Sequence, residues 1–315
     1  MLTDVLPYLR CPVCRAPLAA RDGGVPRAGG TNGNADGAVR ALRCPAGHSF
    51  DVARQGYVDL VTGRARHAGD SAEMVAARDE FLRTGHFDVV ATGLVEAVGS
   101  PALDNRAPDN RVAGKPAPDD RAGPIVVDAG AGTGAYLAAV LDALPGAVGL
   151  ALDLSKAAVR RAARAHPSAA AVRCDTWRPL PVADACADLV LNVFAPRNGG
   201  EFARILRPRG ALVVVTPLPD HLGEVIGPLG LLRVDPAKDD RTGAALRHHF
   251  DRVALHVLRR RLRLSHRDVT ALVRMGPSAR HTDPADLASA IAALPEPVTV
   301  SAAVQLAIYR CQPGS

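Results

Sequence analysis

From residue 125 onward the chain alternates short apolar runs with segments of helical period, and few folds accept that pattern. Residues 125–129, 148–153, 170–174, 189–194 and 211–216 read as strands, with helices at 133–144, at 155–165 and near 201–206 between them. Strands alternating with helices build an α/β fold with a parallel sheet covered on both faces, and such sheets hold ligands at the carboxyl ends of their strands. Two further helices are expected near 266–275 and 284–294, and two β-rich stretches, 253–264 and 298–309, can extend the sheet.

The first strand enters its helix through Asp128-Ala129-Gly130-Ala131-Gly132-Thr133-Gly134. This is D-x-G-x-G-x-G, distinct from the dinucleotide G-x-G-x-x-G, and no Gly-Lys-Ser/Thr is present to make a P-loop. Glycines at alternate positions let the backbone pass close to a ligand, and Asp128 can accept from a cationic amino group. Nineteen residues beyond Gly134 the second strand ends in Asp153, where a ribose hydroxyl pair would lie, and Asp175 follows the third strand. Loop, ribose acid and third acid in register predict the S-adenosylmethionine pocket of a Rossmann-like class I methyltransferase. Its cofactor would meet Asp128, Gly130, Gly132, Thr133, Gly134, Asp153 and Asp175. A short-chain dehydrogenase is disfavoured by the glycine spacing and by the lack of Tyr-x-x-x-Lys, since Val140 stands four residues after Tyr136. The loop Asn192-Val193-Phe194-Ala195-Pro196 lies where a target base would sit, so Phe194 is a candidate to stack on it and Asn192 to read its edge. The competing readings are a core phenylalanine and a turn cap.

Cys11-Pro-Val-Cys14 and Cys44-Pro-Ala-Gly-His48 supply three thiolates and an imidazole, the ligand set of a closed tetrahedral zinc site. The 29 residues between Cys14 and Cys44 cost little, because loop-closure entropy grows only logarithmically. Free thiols or a redox pair are the alternative, but the third cysteine and the histidine favour one structural zinc. Six cysteines in 315 residues are too few for a disulfide scaffold. The start lacks an apolar signal core and no run approaches the roughly 20 apolar residues that span a bilayer, so a cytoplasmic protein without a membrane partner is expected. The excess of 38 basic over 32 acidic residues, +6 in all, suits a polyanion without specifying one. Eleven aromatics (six Phe, four Tyr, one Trp) argue against a sheet that binds single strands mainly by stacking.

Several motifs in fixed order resemble the 23S rRNA guanine-N1 methyltransferases: C-P-V-C, C-P-A-G-H-S-F-D-V-A-R-Q-G-Y-V-D-L, D-S-A-E-M-V-A-A-R-D-E-F-L-R-T-G-H-F, V-D-A-G-A-G-T-G, L-D-L-S-K, N-V-F-A-P-R-N and T-P-L-P-D-H-L. Within that family the chain is most similar to the actinobacterial macrolide-resistance branch, the tylosin and mycinamicin resistance type. The resemblance implies methyl transfer to N1 of a guanine, of the guanine-748 type, in a domain II hairpin of 23S rRNA that lines the exit tunnel. It implies that Cys11, Cys14, Cys44 and His48 hold zinc and that Phe87, the Gly132 to Gly134 turn and His221 touch the cofactor. Phe87 stands where the family usually has tyrosine, which removes a hydroxyl but keeps a stacking ring. Without the resemblance, His221 reads as a helix-start residue after Pro219-Asp220.

These readings divide the chain into a zinc-binding RNA-recognition domain at 1–60 with a flexible insertion at 21–41, a helical connector and cofactor lid at 61–98, a disordered linker at 99–124, and the methyltransferase domain at 125–315. A helix at 71–83 carries an Asp70/Ser71 capping signal. Arg10, Arg15, Arg40, Arg43 and Arg54 form a basic cluster around the zinc module, better placed for RNA than the run Arg259-Arg260-Arg261-Leu262-Arg263, whose alternate side chains would face opposite ways in a strand. A homodimer is left open. Two other functions stay in view: a small-molecule methyltransferase of antibiotic or quinone biosynthesis, and a non-catalytic zinc RNA-binding module.

Overall fold

The computed structural model describes residues 2–22, 39–63, 67–100, 103, 123–231, 246–280 and 283–312. Most of the insertion expected at 21–41 and of the linker expected at 99–124 lies outside them. Among the described residues no helix is long and apolar enough to cross a membrane.

The N-terminal segment carries a short helix α1 (Leu2–Val5) and a three-stranded antiparallel sheet, β1 (Ala19–Asp22), β2 (Val39–Arg43) and β3 (Ser49–Asp51). The expected insertion is therefore narrower than 21–41, because Asp22 pairs with Val39 and Arg21 with Ala41 as the ends of a hairpin. Its next strand, β4 (Tyr57–Asp59), leaves this sheet and lies parallel to β7 (Ala169–Arg173) at the edge of the large one.

Between β4 and the large sheet's first central strand come α2 (Ala72–Arg83) and α3 (Asp88–Val98). Ser71 caps α2 as the sequence predicts, its hydroxyl accepting from the Met74 N–H at 3.2 Å. The large sheet then follows with β5 (Ile125–Ala129), α4 (Ala135–Ala143), β6 (Val148–Asp153), α5 (Lys156–Ala162), β7, β8 (Ala187–Val193), α6 (Gly199–Ile205) and β9 (Leu206–Pro217). After α7 (Gly223–Ile226) the antiparallel strand β10 (Phe250–Leu264), helices α8 (His266–Arg274) and α9 (Pro284–Ala292), and β11 (Val298–Cys311) complete it. The strand order is β10-β11-β9-β8-β5-β6-β7-β4. Both late β-rich stretches do extend the sheet, β11 pairing with β9 and β10 forming the far edge. Arg259, Arg260, Arg261 and Arg263 are exposed on that edge strand, and Arg259 is ion-paired to Asp220.

Every residue of β5 is buried, as expected for a strand covered on both faces. Ile125, Val127 and Ala129 join one apolar cluster and Val126 the other, the period of two sorting them. The first cluster also contains Val5, Leu9 and Leu42, so the N-terminal module and one face of the large sheet share a core. On the other side of the molecule α2 packs against α8.

Candidate active site and metal centre

Chain order reverses at β5, which has β6 on one side and β8 on the other, and such a switch point opens a crevice at the strands' carboxyl ends. A cleft of about 610 Å3 lies there. Its floor is the glycine loop, with φ of +92° at Gly130, +55° at Gly132 and +81° at Gly134. Side chains are excluded as much by space as by φ: a Cβ on Gly130 would come within 2.4 Å of the Ala195 Cβ, and one on Gly134 within 2.9 Å of the Ala162 Cα. These conformations also delay the helix expected at 133–144, which starts at Ala135.

Asp153 braces the loop from below. One carboxylate oxygen accepts from the Gly132 N–H at 2.9 Å and the other from the Ser155 N–H at 2.8 Å, and burial holds its pKa above the usual carboxylate range. Asp128 is 1 % exposed and its Oδ1 has no hydrogen-bond partner. Burial, reinforced by the nearby Asp153 charge, pushes its carboxyl up to about 8. A buried carboxylate oxygen without a donor, at the edge of a cleft, is a place for a ligand's cationic N–H. Asp175 also lines the cleft, but its carboxylate is engaged, accepting from the Trp177 N–H at 3.1 Å and lying 3.6 Å from Arg178.

Across the cleft three rings form a triangle: Phe87–His221 at 5.8 Å, Phe194–His221 at 6.1 Å and Phe87–Phe194 at 6.4 Å between centroids. Phe194 is 42 % exposed at φ +52°, so it is not a core residue, and the left-handed turn there ends β8 one residue earlier than expected. His221 is buried, and its Nδ1 accepts from the Ala303 N–H at 3.1 Å. That bond assigns the proton to Nε2, and burial lowers the imidazole's pKa to about 4, so at neutral pH the ring is an uncharged donor. Asn192 does not line the cleft. Its amide nitrogen donates to Ala129 O at 3.1 Å and Pro196 O at 2.9 Å, tying the Phe194 loop to the end of β5. These bonds fit the turn-cap reading of Asn192.

Arg78 and Trp177 are among the cleft residues that escaped the sequence reading. Arg78 lies beside Gly132, paired to Asp70 at 2.6 Å and donating to Met275 O at 2.9 Å, so it bridges two walls. Trp177 stands at the rim, 52 % exposed. Arg78 sits on the helical period of α2 and Trp177 in a turn after β7, where neither has a pattern to mark it.

The four cysteine and histidine ligand atoms of the N-terminal module lie within 4.8 Å of one another. Cys11 Sγ and Cys44 Sγ are 3.6 and 3.3 Å from His48 Nδ1, and Cys14 Sγ is 3.6 Å from Cys44 Sγ. Both knuckles turn through left-handed residues, Arg15 at φ +64° and Gly47 at φ +90°. Burial opposes ionisation of Cys44, yet hydrogen bonding from the His48 backbone and from the neighbouring side chains holds it down at about 6. Three thiols and one imidazole at this spacing fit a tetrahedral soft-metal site with no open position. Two of the arginines around it are engaged with backbone carbonyls. Arg15 donates to Leu180 O at 2.7 Å, clamping the knuckle to the catalytic sheet's flank, and Arg10 donates to Pro7 O at 2.8 Å.

Residues 126–210 match the family described as methyltransferase domain, and residues 36–68, which contain Cys44 and His48, match the zinc ribbon described as RlmA, N-terminal. A Micromonospora griseorubida protein named for 23S rRNA (guanine-N1) methyl transfer is 57 % identical over 312 residues, covering 98 % of this chain and 99 % of its own. The Streptomyces fradiae 23S rRNA (guanine(748)-N(1))-methyltransferase is 45 % identical over 313 residues, 99 % of this chain and 100 % of its own. Likeness at that level runs from end to end, and the chain accordingly belongs to the 23S rRNA (guanine-N1)-methyltransferases.

Proposed function

We propose that this enzyme transfers the methyl group of S-adenosylmethionine to N1 of a guanine of the guanine-748 type in the domain II hairpin of 23S rRNA, in the cytoplasm, and so confers resistance to macrolides such as tylosin or mycinamicin. The observation that carries this reading is the cleft in which an unpartnered, buried Asp128 oxygen and a close-approach glycine loop face an aromatic triangle open to solvent at Phe194. When bound, the cofactor supplies a sulfonium-activated methyl, which leaves alignment and water exclusion to the protein.

In this reading Asp128 Oδ1 receives the ammonium of the cofactor's amino-acid end, and Asp153 uses its remaining lone pairs for the ribose hydroxyls. Gly130, Gly132, Thr133 and Gly134 form the floor, Asp175 bounds the adenine side, and Phe87 and His221 close the opposite wall. Residues 61–98 act as the lid, contributing Met74, Arg78 and Phe87 to the cleft. Phe194 stacks on the flipped guanine. His221 acts as a donor and not as the base for the N1 proton, because Ala303 occupies Nδ1 and Nε2 already carries a proton. Cys11, Cys14, Cys44 and His48 hold one zinc that folds the N-terminal module.

Substituting Asp153→Ala is expected to weaken cofactor binding roughly 10- to 100-fold, the scale of losing hydrogen bonds to a charged group, while zinc content stays at one per chain. Titration calorimetry decides it, and unchanged affinity would remove Asp153 from the ribose site. The function itself is tested by incubating the protein with methyl-labelled S-adenosylmethionine and protein-free 23S rRNA, followed by primer extension. N1 methylation blocks Watson–Crick pairing, so a reverse-transcriptase stop at one domain II guanine is expected. Cofactor binding without label in RNA would overturn the reading in favour of a small-molecule substrate.

A further inference from the structure

Trp177 is the sole tryptophan of the chain, and it is half exposed at the rim of the catalytic cleft. The residues read as cofactor contacts at the floor, Asp128, Thr133 and Asp175, are all buried. The indole packs at 5.7 Å and 44° on the ring of His67, which holds its orientation. Beside it a second, smaller groove of about 210 Å3 begins at Asp175, which lines both cavities, and runs past Arg178 to Pro12 in the first zinc knuckle. Arg178 gives that groove a guanidinium, anchored through Thr62 O at 3.0 Å.

A base drawn out of a hairpin into the cleft brings its neighbours with it, and the unpaired nucleotide next to it must lie against the rim. A half-exposed indole buttressed by an imidazole, beside a groove whose guanidinium is paired with the Asp175 carboxylate, has the composition of a nucleobase platform. We propose that Trp177 stacks on an unpaired base adjacent to the target guanine and that the groove towards Pro12 takes the strand leaving the cleft, linking the catalytic site to the zinc module. This rests on the rRNA-methylation reading for the identity of the polymer. Trp177 is a substrate-positioning residue at the rim of the cleft.

Because it is the sole tryptophan, its emission reports on the site directly in the full-length protein. A domain II hairpin transcript alone is expected to quench the emission, and S-adenosylhomocysteine alone to leave it within a few per cent. Trp177→Ala should raise the Kd for the hairpin roughly 5- to 100-fold, the scale of losing one base–aromatic stack, with S-adenosylhomocysteine affinity within twofold of wild type. Trp177→Phe should restore most of the RNA affinity, which a merely structural role would not require. Quenching by S-adenosylhomocysteine, with weakened cofactor binding in Trp177→Ala, would overturn the proposal by making the indole a cover for adenine. Unaltered RNA affinity in Trp177→Ala would overturn it as well. A hairpin that binds and quenches without being methylated would sink the methylation reading and leave the platform standing. Methylation with a silent Trp177 would do the reverse.

Discussion

The Cys44→Ser protein is expected to lose its zinc and to melt far below the wild type, with the damage reaching the catalytic sheet. A closed site with three thiolates and an imidazole typically contributes of the order of 10 kcal/mol to folding when zinc binds, comparable to the whole stability of a domain. Serine cannot replace the thiolate, and Cys44 is itself buried against Leu42 and Cys11 in the core cluster that continues into Val127 and Leu150. Loosening the knuckles releases the Arg15 clamp on Leu180 and the seat of β4 on β7. Metal analysis should find no zinc per chain, and hydrogen exchange should quicken in β2, β4 and β7 together. Cys311→Ser, at a half-buried cysteine far along the last strand, serves as the control and should keep its zinc. Full zinc retention by Cys44→Ser would remove Cys44 from the ligand set.

Asp128→Asn is expected to give a more stable protein that no longer binds its cofactor. The carboxyl ionises at about 8 in the folded cleft, because burial and then Asp153 oppose its charge, against about 3.9 in an unfolded chain. Between those two values the unfolded chain is ionised and the folded one is protonated, so the folded state binds more protons. Stability from this group therefore falls as pH rises from about 4 to 8 and levels off above. The amide has no such charge to suppress. The variant should gain stability over wild type progressively across that window, up to roughly 4 kcal/mol near pH 7 as an upper bound. The cofactor's ammonium needs the ionised carboxylate, so wild-type affinity should climb with pH toward 8, while the variant's should be weak and flat. Thermal melts and calorimetry at pH 5.5, 7 and 8.5 test both halves. A variant with wild-type affinity would show that the unpartnered oxygen of Asp128 receives no ammonium.

What could be read beforehand was whatever depends on neighbours close in sequence. The knuckles, the glycine loop and the apolar strands 125–129 and 148–153 are local patterns with local physical causes. Whether the Asn192 amide turns outward or back to Ala129 depends on β5, 63 residues away in the chain. Arg15 sits in a knuckle like an RNA contact and instead reaches a carbonyl 165 residues onward. β4 has three residues, too few to show any period, and is a strand only because β7 offers it an edge. Phe194 was legible as a residue of the loop after β8; its exposure follows from a left-handed turn that no composition rule predicts for phenylalanine.

The pairing of β4 with β7 also sets a clock on synthesis. Tyr57 meets Ala171, so 114 residues must be added before its strand has a partner. At ordinary elongation speeds that is a wait of roughly 6–23 s. The cysteine knuckles can close around metal as soon as His48 emerges, since their contacts are short in sequence, whereas Leu9 and Leu42 stay uncovered until the catalytic sheet arrives to bury them. Nascent chains of this enzyme therefore carry a metal-locked but half-dressed N-terminus for more than a third of their synthesis on the ribosome, the particle whose RNA the finished protein is proposed to methylate.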